Sequence, residues 1–136
     1  MEQQTVLVID DDAAIRDIVA TLLTEEGYAV ITAGSGEEAL SHLEVVIPSL
    51  IITDMRMPVM DGWQFAAELH RRRDGEIPLL VMTAAVDAQQ RAAEVDADDT
   101  ISKPFDLDEF VASVKRLIGP AGRDPRVEVR QRNQDS

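Results

Sequence analysis

Residues 6 to 12 read Val6-Leu7-Val8-Ile9-Asp10-Asp11-Asp12: four aliphatic side chains that run straight into three aspartates. The aliphatic run shows no polar alternation, which suits a strand covered on both faces, as in a parallel sheet. Three carboxylates at its end repel one another, and burying a carboxylate without a partner is costly. Either a positive group answers them or they face water.

Outward from this run, short apolar stretches alternate with segments of helical period. Thr5 to Ile9 is the first strand; Ile15, Ile18, Val19, Leu22 and Leu23 then fall on one face of a helix, with Gly27 where a C-cap belongs. Tyr28 to Ala33 reads as a second strand, and Ser35 and Glu38 have the spacing of a capping box ahead of Ala39, Leu40 and Leu43. Leu50 to Thr53 is a third strand. A loop with Pro58 and Asp61-Gly62 leads to a helix from Trp63 to about Arg73, and Pro78 to Thr83 is a fourth strand. Residues 87 to 96 read as a helix with a thin apolar stripe of Ala92, Ala93 and Val95, expected to be the least firmly anchored. Thr100 to Ser102 is a fifth strand. Asp106 then caps a last helix, with Phe105 and Phe110 at the positions of a hydrophobic staple and Val111, Val114, Leu117 and Ile118 facing inward. Gly119-Pro120 stops it.

Five strands alternating with five helices predict an α/β fold, a doubly wound parallel sheet with helices on both faces. The domain is expected over residues 1–118. Residues 119–136 read as a polar tail or linker; from Ala121 onward it holds four arginines against three acids. The chain carries 26 acids against 13 bases, a net charge of −13, which makes nucleic acid a poor partner for the domain. No cysteine is present, so disulfides and thiolate metal sites are excluded. The start lacks the pattern of a signal peptide and no apolar run is long enough to span a bilayer, so a cytoplasmic protein without membrane contact is expected.

In such sheets, ligands bind beyond the carboxyl ends of the strands, where strand order reverses. Strand one ends in Asp10, Asp11 and Asp12, Asp54 follows strand three, strand four ends at Thr83, and Lys103 follows strand five. These groups converge if strand one is central, with three, four and five to one side. Each has a plain reading by itself. Asp12 is expected to cap the following helix; Asp54 alone suits a turn, Thr83 a strand, Lys103 a solvated strand end. Together they make a site of carboxylates, a hydroxyl and an ammonium. Carboxylates without nitrogen or sulfur ligands suit Mg²⁺, which needs few protein carboxylates and keeps several waters. A carboxylate beside such an ion can take a phosphoryl group as an acyl phosphate, with hydroxyl and ammonium holding the other oxygens.

The segments VLVIDDD, IITDMRMPVMDG, LLVMTA and ISKPF strongly resemble the signature segments of bacterial two-component response-regulator receiver domains. The resemblance covers about residues 5 to 118, in order and spacing as well as residue type. It implies a flavodoxin-like sheet of strand order 2-1-3-4-5 and a phosphorelay module with Mg²⁺-dependent self-phosphorylation and self-dephosphorylation. By it Asp10, Asp11, Asp54 and the backbone carbonyl of Arg56 hold Mg²⁺, Asp54 is the phosphoacceptor, and Thr83 and Lys103 contact the phosphoryl group, Lys103 across a cis peptide to Pro104. The implied donor is a histidine kinase or histidine phosphotransfer protein. Thr83 moves toward the phosphoryl group and shifts the surface of residues 87–96, strand five and the last helix. An output domain, a downstream protein or a phosphorylation-dependent homodimer would read that surface.

One position departs from the family pattern. An aromatic residue commonly stands three before the lysine; here it is Thr100, too small to fill the same space. Competing readings are a Mg²⁺-dependent small-molecule phosphatase or phosphotransferase and a non-phosphorylated interaction module. The first usually wants an acid two residues after the nucleophile, where Arg56 stands, and the intact acids, hydroxyl and lysine count against the second. A flavin phosphate would be repelled by the three aspartates after strand one. Arg71, Arg72 and Arg73 read as a solvated helix end, and His42 and His70 are expected away from the acids.

Overall fold

The computed structural model describes residues 4–54, 62–71, 77–83, 97–102 and 106–119, with the backbone alone at 62, 63, 70 and 83. Its elements are β1 (Thr5–Ile9), α1 (Ala13–Glu25), β2 (Ala29–Ala33), α2 (Gly36–Leu43), β3 (Leu50–Asp54), α3 (Gly62–Arg71), β4 (Leu79–Thr83), β5 (Asp99–Ser102) and α4 (Leu107–Ile118). The strands form one parallel sheet of order β2-β1-β3-β4-β5, the order expected from the resemblance. Four helices stand among the described residues. The helix expected over 87–96, the staple residue Phe105 and the tail from Pro120 lie outside them.

The boundaries follow from local chemistry. Asp12 caps α1, its carboxylate accepting the N–H groups of Ala14 at 2.9 Å and Ile15 at 3.4 Å. Asp106 does the same for α4 through the N–H groups of Asp108 and Glu109. Ser35 caps α2 by accepting the Glu38 N–H at 3.1 Å. The return bond is shifted from the capping-box pattern: Glu38 Oε1 accepts the N–H of Gly34, not that of Ser35. Gly119 stops α4 at φ 80°, a left-handed value that favours glycine.

Alternation along the strands divides the core into two layers. Leu7, Ile9, Ile51 and Val81 point to one face, where Ala39 and Leu40 of α2 and Phe65, Ala66 and Leu69 of α3 cover them. Val6, Val8, Leu50, Ile52, Leu80 and Met82 point to the other, under Val19 and Leu23 of α1 and Phe110, Val114 and Ile118 of α4. Burial of each such aliphatic side chain is worth about 1.5–3 kcal/mol. β1 and β3, flanked by strands on both sides, are buried on both faces, which is why their sequences lack polar alternation.

Two bonds tie the start of the sheet to the end of α4. Gln4 Nε2 donates to the Ile118 carbonyl and the Tyr28 hydroxyl donates to the Gly119 carbonyl, each at 2.7 Å. Burial, with Glu26 nearby, pushes the Tyr28 hydroxyl up to about 12. The fold therefore favours the neutral phenol. That stabilisation is complete below the ordinary tyrosine value of about 10 and is lost as pH rises toward about 12. Because the chain has one tyrosine, phenolate absorbance reports this group alone. The folded protein is expected to titrate near 12 and the urea-unfolded protein near 10; coincident midpoints would refute the buried bond.

Candidate functional site

The site stands at the carboxyl edge of the sheet. β1 and β3 pair with Val6 opposite Leu50, Val8 opposite Ile52 and Ile9 opposite Thr53. One step further, Asp10 comes level with Asp54, on the face that carries Val8 and Ile52. Both aspartates are buried, Asp10 completely, and Asp11 is exposed. Carboxylate oxygens of Asp10, Asp11 and Asp54 all lie within 4.8 Å of one another.

The surrounding backbone fixes Asp10. Its N–H donates to the Ala33 carbonyl at 3.1 Å, and its carboxylate Oδ1 accepts the Asp12 N–H at 2.9 Å. Its carbonyl accepts from Arg16 Nη1 at 2.8 Å. Asp12 faces the start of α1 as its cap, so the three consecutive acids divide into two roles. At Asp54 the Thr53 hydroxyl, itself buried, donates to the backbone carbonyl at 3.0 Å. The N-terminus of α1, just beyond Asp12, adds a partial positive charge to this edge.

Two unit charges 4.8 Å apart repel by about 3–4 kcal/mol at an effective dielectric of about 20. Three such carboxylates, two of them buried, fit a hard divalent cation: every donor is an oxygen, and Mg²⁺ needs only a few of them. These three residues, expected to converge from their places at the strand ends, lie together in the structure.

The other expected site residues divide between the described chain and the rest. Thr83 ends β4, one step past the Met82 that pairs with Asp54, so its backbone reaches the same edge, opposite Ser102 of β5. Arg56 and Lys103 lie outside the described residues, as do Arg72 and Arg73. Thr100 is in β5 opposite Val81, and its hydroxyl is buried without a hydrogen-bond partner among the described residues. Beside it, a polar cleft of about 420 Å³ between β5 and α4 is lined by Ser102, Glu109, Ser113 and Arg116 among others. Arg116 pairs with Asp99 at 2.7 Å. Partial burial pushes the Asp99 carboxyl up, but hydrogen bonds from Arg116 and the Thr100 N–H outweigh it and hold it below its ordinary value. His42 sits on α2 at 3.6 Å from Glu38. Arg71 pairs with Glu68 one turn back, as on a solvated helix face.

Arg16 is the residue that sequence reasoning missed. It lies outside the apolar stripe of α1, and its bond runs to a backbone carbonyl, so neither period nor spacing marks it.

The model of a family described as the response regulator receiver domain matches residues 6–115. A probable transcriptional regulator, ycf27, of Porphyridium aerugineum is 40% identical over 120 residues, covering 87% of this chain and 49% of that protein. The response regulator MprA of Mycolicibacterium vanbaalenii is 36% identical over 115 residues, covering 83% of this chain and 49% of its own length. The chain thus spans about half the length of these curated relatives. Among solved structures, the chemotaxis response regulator CheY4 of Vibrio cholerae superposes with a TM-score of 0.79 at 30% identity, covering 85% of this chain and 99% of that one. The response regulator TrrA of Thermotoga maritima, solved in complex with Mg²⁺-BeF, superposes with a TM-score of 0.76 at 33% identity over 84% of this chain and 98% of its own.

Proposed function

The chain belongs to the response regulator receiver domain family, the phosphoacceptor signalling module of two-component systems, and on that premise we propose that Asp54 is the residue phosphorylated. The observation that carries the assignment is the meeting of three carboxylates within 4.8 Å, with Asp54 contributed by the strand next to β1.

In this reading Asp10 and Asp11, with Asp54 and the carbonyl of Arg56, hold Mg²⁺. When bound, the ion neutralises charge on the phosphoryl oxygens and on the carboxylates together. A carboxylate oxygen of Asp54 attacks the phosphorus of a phosphohistidine on a histidine kinase or histidine phosphotransfer protein. The P–O bond forms as the P–N bond breaks, and the departing imidazole nitrogen takes a proton from water. Thr83 donates its hydroxyl to one phosphoryl oxygen, and the Lys103 ammonium pairs with another. Water attacking the same phosphorus later releases inorganic phosphate and restores the carboxylate.

Residues 1–118 form the receiver in this reading, and residues 119–136 are a linker or tail. An output domain, a downstream protein or a second copy reads the switched surface, with Thr83 moving and Thr100 in place of the bulkier partner. No described helix is long and apolar enough to cross a membrane, and the cytoplasm is the proposed location. The net charge of −13 supports a domain that does not itself bind nucleic acid.

The test is intact mass after incubation with acetyl phosphate. One phosphoryl adduct is expected with Mg²⁺ and none in EDTA. An adduct that forms equally in EDTA rejects the metal-dependent site.

A further inference from the structure

Arg16 stands against the acidic site without being one of its acids. Its Nη1 donates to the carbonyl of Asp10 at 2.8 Å, and its own backbone N–H donates to the Asp12 carbonyl at 3.0 Å as part of α1. The same guanidinium lies over Gly34, in the turn between β2 and α2. A Cβ on Gly34 would fall 3.1 Å from Nη1 and 3.7 Å from Cζ, tighter than ordinary contact for the first. The turn itself is held, since Glu38 Oε1 accepts the Gly34 N–H at 3.0 Å and Ser35 caps α2. Among the described residues the positive-φ glycines are Gly27 and Gly119, so the backbone at Gly34 admits other residues, and an added Cβ would require the guanidinium to give by a few tenths of an ångström.

We propose that Arg16, seated on Gly34, is a positioning residue for the metal site: it clamps the main chain of Asp10 so that its carboxylate is held ready beside Asp54. The proposal deepens the phosphoacceptor reading and rests on it. The clamp is two-sided. Ala33 takes the N–H of Asp10, Arg16 holds its carbonyl, and with both fixed only the side-chain torsions remain. The Asp12 N–H then restricts those by binding Oδ1. Carboxylates that repel one another would otherwise relax apart, and an ion would have to pull them back at the expense of affinity.

Removing Arg16 mixes two opposite effects. Losing the clamp weakens Mg²⁺ binding, whereas losing a cation beside the site strengthens it. Gly34→Ala separates them, because it leaves every charge in place and moves only the guanidinium.

Mg²⁺ affinity is measured by calorimetry on the full chain, and stability by urea unfolding in EDTA. Gly34→Ala is expected to raise the Mg²⁺ dissociation constant about 3-fold. It should change the urea midpoint little, since the reduced freedom of the unfolded chain offsets the weakened bond to the Asp10 carbonyl. A purely structural role would lower the midpoint and spare the affinity. In an Arg16→Met background, adding Gly34→Ala should change the constant by less than about 2-fold, because the pair acts as one unit. An unchanged constant in Gly34→Ala, or an effect that persists without Arg16, overturns the proposal and leaves the phosphoacceptor reading standing. Wild-type protein that fails to bind Mg²⁺ overturns both.

Discussion

Asp54→Ala is expected to lose the phosphoryl adduct formed from acetyl phosphate and Mg²⁺, by at least about 100-fold in labelling rate, equivalent to about 2.7 kcal/mol of barrier. The effect is large because the nucleophile is removed outright. Its neighbours are poorly placed to substitute. Asp10 spends Oδ1 on the Asp12 N–H and is completely buried, and Asp11 projects from the turn after β1 into solvent. Asp54 is the member carried on the strand next to β1, at the carboxyl edge that Thr83 also reaches. The fold should survive, since alanine removes one charge from a repelling group and leaves the register of β3 with β1 and β4 intact. Intact mass with and without the substitution, alongside urea midpoints, makes the check. Equal labelling of the two proteins would mean that the phosphoryl group lands elsewhere.

That prediction was available from the strand ends and the family resemblance, and the register of the sheet adds its geometric reason. Asp10 follows Val6 by four residues and Asp54 follows Leu50 by four, and the sheet pairs Val6 with Leu50. Equal offsets in parallel strands put the two carboxylates level and, with a side-chain period of 2, on the same face. The apolar runs that make β1 and β3 legible are the same runs that aim the acids. Strand ends were legible to within a residue: β3 extends through Asp54 because that residue still pairs with Met82, and β5 begins at Asp99, opposite Leu80.

Other features depended on contacts that no local pattern encodes. The Tyr28–Gly119 and Gln4–Ile118 bonds join residues 91 and 114 positions apart. Glu38 looked like the second half of a capping box, but its carboxylate serves Gly34, where Arg16 also rests, so the local motif was diverted by tertiary packing. Arg16 itself gave no signal, because a side chain that binds a main-chain carbonyl leaves its partner's identity unconstrained. Strand order came from resemblance to a family. Alternating runs alone allow several orders, and only the order with β1 and β3 adjacent produces this site.

The second large effect expected is a pair of opposite changes from Asp10→Asn. Asparagine keeps the shape of the side chain and an oxygen for the Asp12 N–H, while removing one of three charges gathered within 4.8 Å. Each pair at that separation repels by about 3–4 kcal/mol at an effective dielectric of about 20. Exposure of Asp11 and the partners of Asp10 and Asp54 reduce this, leaving a net gain of about 1–2 kcal/mol for the metal-free fold. The melting temperature in EDTA should therefore rise by several degrees. With Mg²⁺ the gap closes: wild-type protein gains about 1.4 kcal/mol at ten times its dissociation constant, whereas the variant should gain almost nothing. The acids are then a cost to the fold that only an ion offsets, and the two melting curves measure both halves of that statement. A variant less stable than wild type in EDTA would mean that Asp10 is held as a structural hydrogen-bond acceptor, with no stored repulsion for a cation to relieve.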